Sequence, residues 1–117
     1  MYPELASYIS DIEGNYSSIS EDRKKLLEAL AAYITKKIRQ GDEVKLNFIC
    51  THNSRRSHLA QIWTTIAAAH FKIPNIHTYS GGTEATAFNP RAVAALERAG
   101  LRIHNPGGTN PEYELHF

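Results

Sequence analysis

The chain has 117 residues, of which 42% are apolar and 21% charged, enough for one globular domain and too few for two. Thirteen basic residues against twelve acidic ones leave a formal charge of +1, so charge gives no reason to expect a nucleic-acid or membrane partner. The sequence has neither an apolar run of bilayer length nor a secretory leader, and its single cysteine cannot form an internal disulfide. These features favour the cytoplasm, where a free thiol persists.

The first forty residues show helical spacing. A short helix is predicted near the N-terminus, ending at Gly14, with apolar residues Leu5, Tyr8, Ile9 and Ile12. Residues 18–22 resemble a helix N-cap followed by acids, and the helix they open has one apolar stripe: Leu26, Leu27, Leu30, Ile34 and Ile38. Its basic last turn (Lys36, Lys37 and Arg39) complements the helix dipole and is interpreted as a solvated helix end. We therefore treat residues 1–42 as a helical extension.

From residue 44 onward, strand and helix patterns alternate. Residues 44–50 form an apolar strand with Cys50 at its carboxyl end, and a polar loop precedes a helix over about 57–71. The inner face of that helix is predicted to hold Leu59, Ile62, Trp63, Ile66 and Phe71. A second strand (76–80), a helix opened by Asn89-Pro90 and ended by Gly100, and extended segments at 101–103 and 113–117 follow. This order predicts an α/β sandwich with a parallel sheet.

The chemistry centres on Cys50. A cysteine at the carboxyl end of a parallel strand lies where open α/β sheets bind ligands. The helix that starts near Ser57 directs free N–H groups at the preceding loop, which suits an anion. Arg56 can bind two anion oxygens with its planar fork, and the same positive field lowers the thiol pKa of Cys50. The sequence therefore predicts an oxyanion-binding loop with a nucleophilic cysteine.

The predicted reaction is attack of the Cys50 thiolate on phosphorus, giving a phosphocysteine that water hydrolyses. Ser57 Oγ is expected to hydrogen-bond the thiolate. Asn53 is expected to hold the loop open through side-chain bonds to neighbouring backbone, because a tight loop needs a residue in the left-handed conformation. The competing interpretation is a buried structural cysteine beside two surface arginines. The expected catalytic residues are Cys50, Arg56 and Ser57, and the expected oxyanion-binding residues are Thr51, His52, Asn53, Ser54, Arg55 and Arg56.

The pattern Cys50-x-x-Asn53-x-x-Arg56-Ser57 resembles the signature of the low-molecular-weight protein tyrosine phosphatases and the thioredoxin-coupled arsenate reductases. Residues 79–83 resemble the Ser-Ala-Gly-Thr segment that ends the second strand of that family. Residues 89–93 and 99–103 resemble its next helix and the exit from it, so the likeness covers about 44–104. It implies that Cys50 is the nucleophile and Arg56 the oxyanion clamp. It also implies a three-layer α/β domain over 43–117.

The sequence departs from that family in three ways. Members use a late Asp as general acid, whereas no Asp follows Cys50 here and the downstream acids (Glu84, Glu97, Glu112 and Glu114) match no motif. The redox cysteines of the reductases are absent. His52 replaces the usual Gly, and Arg55 replaces a residue that is often Cys; each either shapes the entrance to the site or simply faces water. We interpret the chain as the front part of a longer, C-terminally incomplete family member, whose exposed sheet edge favours a homodimer or strand exchange.

The leading functional interpretation is a phosphatase acting on phosphotyrosine-type or small phosphomonoesters. The alternatives are an arsenate reductase that uses the same cysteine with an external thiol, and a non-catalytic oxyanion-binding module. No cofactor is expected. No metal site is expected either, because the remaining histidines (His58, His70, His77, His104 and His116) share no ligand spacing.

Overall fold

A computed structural model describes residues 1–84, 87–108 and 111–117. The helices are α1 (Pro3–Glu13), α2 (Glu21–Arg39), α3 (Arg56–His70) and α4 (Pro90–Ala99), with a 3-10 turn at Tyr16–Ser18. The strands are β1 (Val44–Cys50), β2 (Ile76–Gly82), β3 (Arg102–His104) and β4 (Glu114–His116). The predicted α/β class is confirmed, and each predicted helix and strand exists within a few residues of its expected bounds.

Strands β1 and β2 form the predicted parallel pair. Their register runs from Val44 opposite Ile76 to Cys50 opposite Gly82, so both strands end at the same level. Helix α3 packs against both strands, as the connection between parallel neighbours usually does. The segments that follow Cys50 and Gly82 therefore leave the sheet side by side.

Strands β3 and β4 lie outside this parallel pair. They pair with each other in antiparallel fashion, with Ile103 opposite Leu115 at the centre. The turn after β3 begins where the Asn105 side chain accepts a hydrogen bond from the N–H of Gly107, at 2.8 Å. The extended segments predicted at 101–103 and 113–117 were thus correct. They form a separate antiparallel pair, however, and not part of the predicted parallel sheet.

The buried core lies where α1, α3 and α4 meet. Burying one large apolar side chain, such as that of Leu5, Ile66 or Leu96, contributes about 1.5–3 kcal/mol to the free energy of folding. Gly100 ends α4 with φ 115°, and a Cβ at this position would lie 2.4 Å from the backbone nitrogen of Leu5. Only glycine therefore permits α1 to approach the end of α4 so closely. The core residues are Leu5, Ile9, Ile66, Phe88, Ala92, Leu96, Ala99 and Leu101.

Helix α2 contributes little to that core. Its N-cap is the predicted one, because Ser20 Oγ accepts a hydrogen bond from the N–H of Arg23 at 3.2 Å. However, the apolar stripe is largely exposed: Leu26, Leu27 and Leu30 are 68%, 47% and 38% exposed. Helix α1, by contrast, packs within the core. The division of the chain at residue 42 stays a prediction.

One predicted core residue is misplaced. Phe71 was assigned to the inner face of the third helix, but it is 55% exposed. Helix α3 ends at His70, so Phe71 follows the last helical residue and leaves the inward-facing stripe. No helix among the described residues is long and apolar enough to cross a membrane.

Candidate active site

The loop at residues 51–55 connects the end of β1 to the start of α3. Asn53 has φ 48°, the left-handed conformation that was predicted for it. Asparagine tolerates this region better than most residues, because its short polar side chain bonds locally. The chain can therefore turn sharply from the strand into the helix directly after Cys50.

Two neighbouring segments hold the loop in place. The Thr51 carbonyl accepts hydrogen bonds from the N–H groups of Thr83 (2.9 Å) and Glu84 (3.0 Å), and from Thr83 Oγ1 (3.0 Å). On the other side, the Ser54 carbonyl accepts a hydrogen bond from the N–H of Asn89 at 2.8 Å. Three bonds on one carbonyl and one on another fix the loop backbone against the segment that follows β2 and the N-cap of α4.

The Cys50 side chain is the first member of a polar chain of three residues. Its Sγ lies 3.1 Å from Ser57 Oγ, and Ser57 Oγ donates to Asn53 Oδ1 at 2.7 Å. Ser57 is 2% exposed in the first turn of α3, so its hydroxyl depends on these two partners. As a thiol, Cys50 donates to Ser57. As a thiolate it accepts, and the Ser57 proton turns from Asn53 to sulfur.

This environment favours the thiolate. The pKa of Cys50 is lowered from 9.0 to about 6, chiefly by the hydrogen bond from the Ser57 side chain. The N–H groups of Ser57, Ser54 and Asn53 lower it further, whereas partial burial opposes them. A thiol with this pKa is mostly ionised at neutral pH, which a nucleophile requires.

Gly82 is in close contact with the loop. A Cβ at Gly82 would lie 2.7 Å from both the Asn53 nitrogen and the Cys50 carbonyl oxygen. The adjacent Gly81 has room, since its nearest contact would be Asn47 Oδ1 at 3.9 Å. The second glycine of the Gly-Gly pair therefore sets the distance between β2 and the loop.

A cavity of about 560 Å³ opens beside Cys50. Arg55 and Arg56 are both exposed here and give the cavity a positive wall. Thr51 and Asn53, which were also predicted to bind the oxyanion, do not line it and make the loop contacts described above. The lining residues are Cys50, His52, Ser54, Arg55, Arg56 and Leu59.

Sequence reasoning missed Glu84. His52 Nδ1 lies 2.8 Å from Glu84 Oε2, which brings a carboxylate to the edge of the cavity. The alignment of the two strand ends was a signal for this contact. Cys50 is opposite Gly82, so His52 and Glu84, each two positions further along the chain, lie side by side. Aligning the two strand ends would have placed His52 beside Glu84.

Three of the remaining histidines lie in separate places and contact different residues. His58 stacks on Phe88 with ring centroids 4.4 Å apart, and burial lowers its pKa. His70 and His77 pair with the carboxylates of Glu13 and Glu43. Within the described residues, no group of three or more His, Cys, Asp or Glu side chains could hold a metal ion.

Fold and site together define an α/β protein with a half-buried cysteine in a positively charged loop between a parallel strand and a helix. In sequence, the chain is 38% identical over 65 residues to arsenate reductase 2 of Staphylococcus haemolyticus, a match that covers 55% of this chain and 46% of the relative. It is also 38% identical over 58 residues to an arsenate reductase of Staphylococcus aureus, covering 50% of this chain and 41% of the relative.

No protein-family model matches the chain, and no solved structure matches it significantly. The chain spans less than half the length of the curated relatives that it matches. The predicted resemblance to the arsenate reductase and low-molecular-weight phosphatase family is confirmed by these relatives. These relatives carry the name arsenate reductase, which matches the alternative interpretation of the sequence and not the leading one, a phosphatase.

Replacing Ser57 with alanine should raise the pKa of Cys50 from about 6 toward the value of about 8.5 of a free thiol. The variant loses the hydrogen bond that stabilises the thiolate most, so at pH 7 the thiol form should dominate. Because the chain has one cysteine, the pH dependence of alkylation by iodoacetamide measures this pKa directly. Ser80→Ala is the control, since Ser80 Oγ contacts His58 and not Cys50. An unchanged midpoint in Ser57→Ala would contradict the assignment.

Replacing Gly82 with alanine should displace the loop, whereas Gly81→Ala should not. The added methyl at Gly82 meets backbone atoms that cannot move away without shifting Asn53 and Cys50. We expect the alkylation rate of Cys50 at pH 7 to fall about tenfold in Gly82→Ala and to change less than twofold in Gly81→Ala, because small displacements of reacting groups are costly. Equal rates in the two variants would show that the loop does not depend on this contact.

Proposed function

We propose that this chain carries the arsenate-attacking site of an arsenate reductase, with Cys50 as the nucleophile. The observation that carries the proposal is the contact of Cys50 Sγ with the buried Ser57 Oγ, beside a cavity that Cys50 lines together with Arg55 and Arg56. An ionised thiol and two guanidinium groups at one cavity suit a tetrahedral oxyanion with negative charge. The names of the relatives favour arsenate over phosphate.

The first step joins Cys50 to arsenic. The thiolate attacks the arsenic atom, a sulfur–arsenic bond forms, and one arsenic–oxygen bond breaks as its oxygen leaves with a proton as water. Arg55 and Arg56 line the cavity in which the remaining oxygens lie, and their charge stabilises the negative transition state. Ser57 supports the thiolate before attack.

The second step needs a thiol besides Cys50, because reducing arsenate to arsenite takes two electrons and therefore two sulfur atoms, of which Cys50 supplies one. An external low-molecular-mass or protein thiolate attacks Cys50 Sγ and a disulfide forms. The electron pair of the sulfur–arsenic bond goes to arsenic, which leaves as arsenite, As(III). The two sulfur atoms are thereby oxidised, and another thiol reduces the disulfide and restores Cys50.

A phosphatase is the second candidate, since phosphate has the same tetrahedral shape and charge as arsenate. One observation favours it: the chain needs no further cysteine to release phosphate, because water hydrolyses a phosphocysteine. Ser57 Oγ, 3.1 Å from the sulfur, would stabilise the departing thiolate in that step. For either activity we propose a cytoplasmic setting, where thiols stay reduced.

Wild-type protein with arsenate and excess dithiothreitol should form arsenite, and Cys50→Ser should abolish that activity. Arg56→Lys should lower the rate about 100-fold, because lysine keeps the charge but loses the two-pronged geometry. Arsenite is measured by chromatography with elemental detection. The same proteins are assayed for p-nitrophenol release from p-nitrophenyl phosphate, both in the initial burst and at steady state.

The combined result separates the candidates. Arsenite without phosphate release supports the reductase, and steady-state nitrophenol release without arsenite supports the phosphatase. A Cys50-independent or absent signal in both assays would refute an enzymatic role. The remaining possibility would then be the non-catalytic oxyanion-binding module.

We also propose a second copy of this chain as a partner through β1. In the described part of the chain β1 pairs with β2 alone, and Ile49 on β1 is 69% exposed. The open edge of a seven-residue strand with Lys45 as its one charged side chain can recruit another strand. A strand can pair with its own copy in antiparallel fashion about a two-fold axis.

Size-exclusion chromatography with light scattering should therefore give a dimer mass that falls toward the monomer on dilution. Ile49→Lys should shift the equilibrium to monomer, because a charge on an open edge opposes pairing. Phe71→Lys is the matched control: Phe71 is 55% exposed, but it follows α3 and lies outside the strands. A wild-type protein that stays monomeric at high concentration would refute the proposal.

A further inference from the structure

The proposed attack on arsenate leaves one requirement unmet. The oxygen that departs from arsenic needs a proton, because hydroxide is a poor leaving group compared with water. The sequence places no Asp after Cys50 to supply it. Among the residues of this chain, the side chains that line the cavity are the ones placed to act on that oxygen.

Among the described residues that line the cavity, one side chain is suited to donating a proton. Arg55 and Arg56 cannot give up a proton in a protein, and Cys50 is the nucleophile. Ser54 is too weak an acid and Leu59 has no proton to give. His52 is the remaining lining residue, and imidazole is the side chain best suited to exchanging protons near neutral pH.

His52 is held in place from two directions. Its Nδ1 lies 2.8 Å from Glu84 Oε2, and the backbone beside each of the two residues is fixed where the Thr51 carbonyl accepts from Thr83 and Glu84. The side-chain contact is thus built on a backbone contact between the same two segments. The side-chain contact and the backbone contact both follow from the register of β1 and β2.

The Glu84 contact also determines which nitrogen is free. A carboxylate accepts a hydrogen bond from Nδ1–H, so this proton stays on the ring. Nε2 is then the ring nitrogen that this contact leaves available to donate a proton to a bound oxyanion. A neutral imidazole that has released its Nε2 proton keeps the same orientation.

We propose that His52 donates the proton to the oxygen that leaves arsenic, and that Glu84 is its positioning residue. The proposal rests on the proposed function. As the bond between Cys50 Sγ and arsenic forms, the arsenic–oxygen bond breaks and the oxygen takes the Nε2 proton and leaves as water. His52 is left neutral. Its side chain is 58% exposed, so bulk water can restore the proton before the next turnover.

A purely structural role is the competing explanation, and the exposure of the pair argues against it. With 58% and 61% of the two side chains exposed, the pair contributes little to stability. His77 and Glu43 form a similar exposed pair, 3.6 Å apart, at the opposite end of β1 and β2. This second pair provides a matched control on the same sheet.

The test measures arsenite formation with excess dithiothreitol in a double-mutant cycle. The set contains wild type, His52→Ala, Glu84→Gln and the double variant, with His77→Ala and Cys50→Ser as controls. We expect His52→Ala to slow the Cys50-dependent reaction about 100-fold and added imidazole to restore part of the rate. Glu84→Gln should lower the rate about tenfold when His52 is present. It should have no further effect on the His52→Ala variant. His77→Ala should match wild type with and without imidazole.

Each result bears on a different claim. A wild-type rate in His52→Ala would overturn the proposal, and so would a slow rate that imidazole does not restore. Equal effects of Glu84→Gln with and without His52 would overturn the positioning role, because Glu84 would then act independently. An absence of Cys50-dependent reaction in the wild type refutes the proposed function itself, and the proton-transfer proposal with it. Urea unfolding of His52→Ala verifies that any loss of rate is not a loss of fold.

Discussion

The site depends on the parallel pairing of β1 with β2. Because Cys50 and Gly82 are opposite each other, the two strands deliver their following segments to the same place. The Thr51 carbonyl then accepts hydrogen bonds from the backbone of the second segment, and Gly82 allows the backbones to approach as closely as they do. The position of the nucleophile, the conformation of the loop and the His52–Glu84 pair all follow from one register. A slip of one residue would separate all three.

Two kinds of side chain determine the electrostatics of the site, and they act over different distances. Ser57 lies in direct contact with Cys50 and is nearly fully buried, so its hydrogen bond is the largest cause of the lowered pKa of the thiol. The arginine side chains at positions 55 and 56 are exposed, so water and salt screen their charges. In the proposed function, the serine therefore prepares the nucleophile before substrate arrives, whereas the arginines act mainly on the bound oxyanion. The first role needs a buried side chain and the second needs an exposed one. Ser57 and Arg56 provide these two environments from adjacent positions in the first turn of α3.

Local patterns allowed much of this to be predicted. The apolar run ending in Cys50, the Asn89-Pro90 cap and Gly100 each act within a few residues, and the structure has β1, α4 and its left-handed end where these signals place them. The failures involve contacts distant in sequence. Periodicity identified β3 and β4 as extended but could not tell which sheet they join. Glu84 was present in the sequence, yet only the pairing of β1 with β2 makes it a neighbour of His52.

The number of thiols constrains the chemistry more strongly than the shape of the cavity does. Arsenate and phosphate have the same charge and geometry, so a loop that accepts one has little basis to exclude the other. The reactions differ in electrons: releasing phosphate from cysteine needs only water, whereas turning arsenate into arsenite needs two electrons and therefore two sulfur atoms. Cys50 supplies one of them. In a reductase built on this chain, the second sulfur must reach Cys50 Sγ through the same exposed opening that admits the oxyanion. The cavity at Cys50 is lined by Arg55 and Arg56, both of which are exposed and positively charged, so an anionic thiolate would be attracted to the face at which the sulfur–arsenic bond has to be broken.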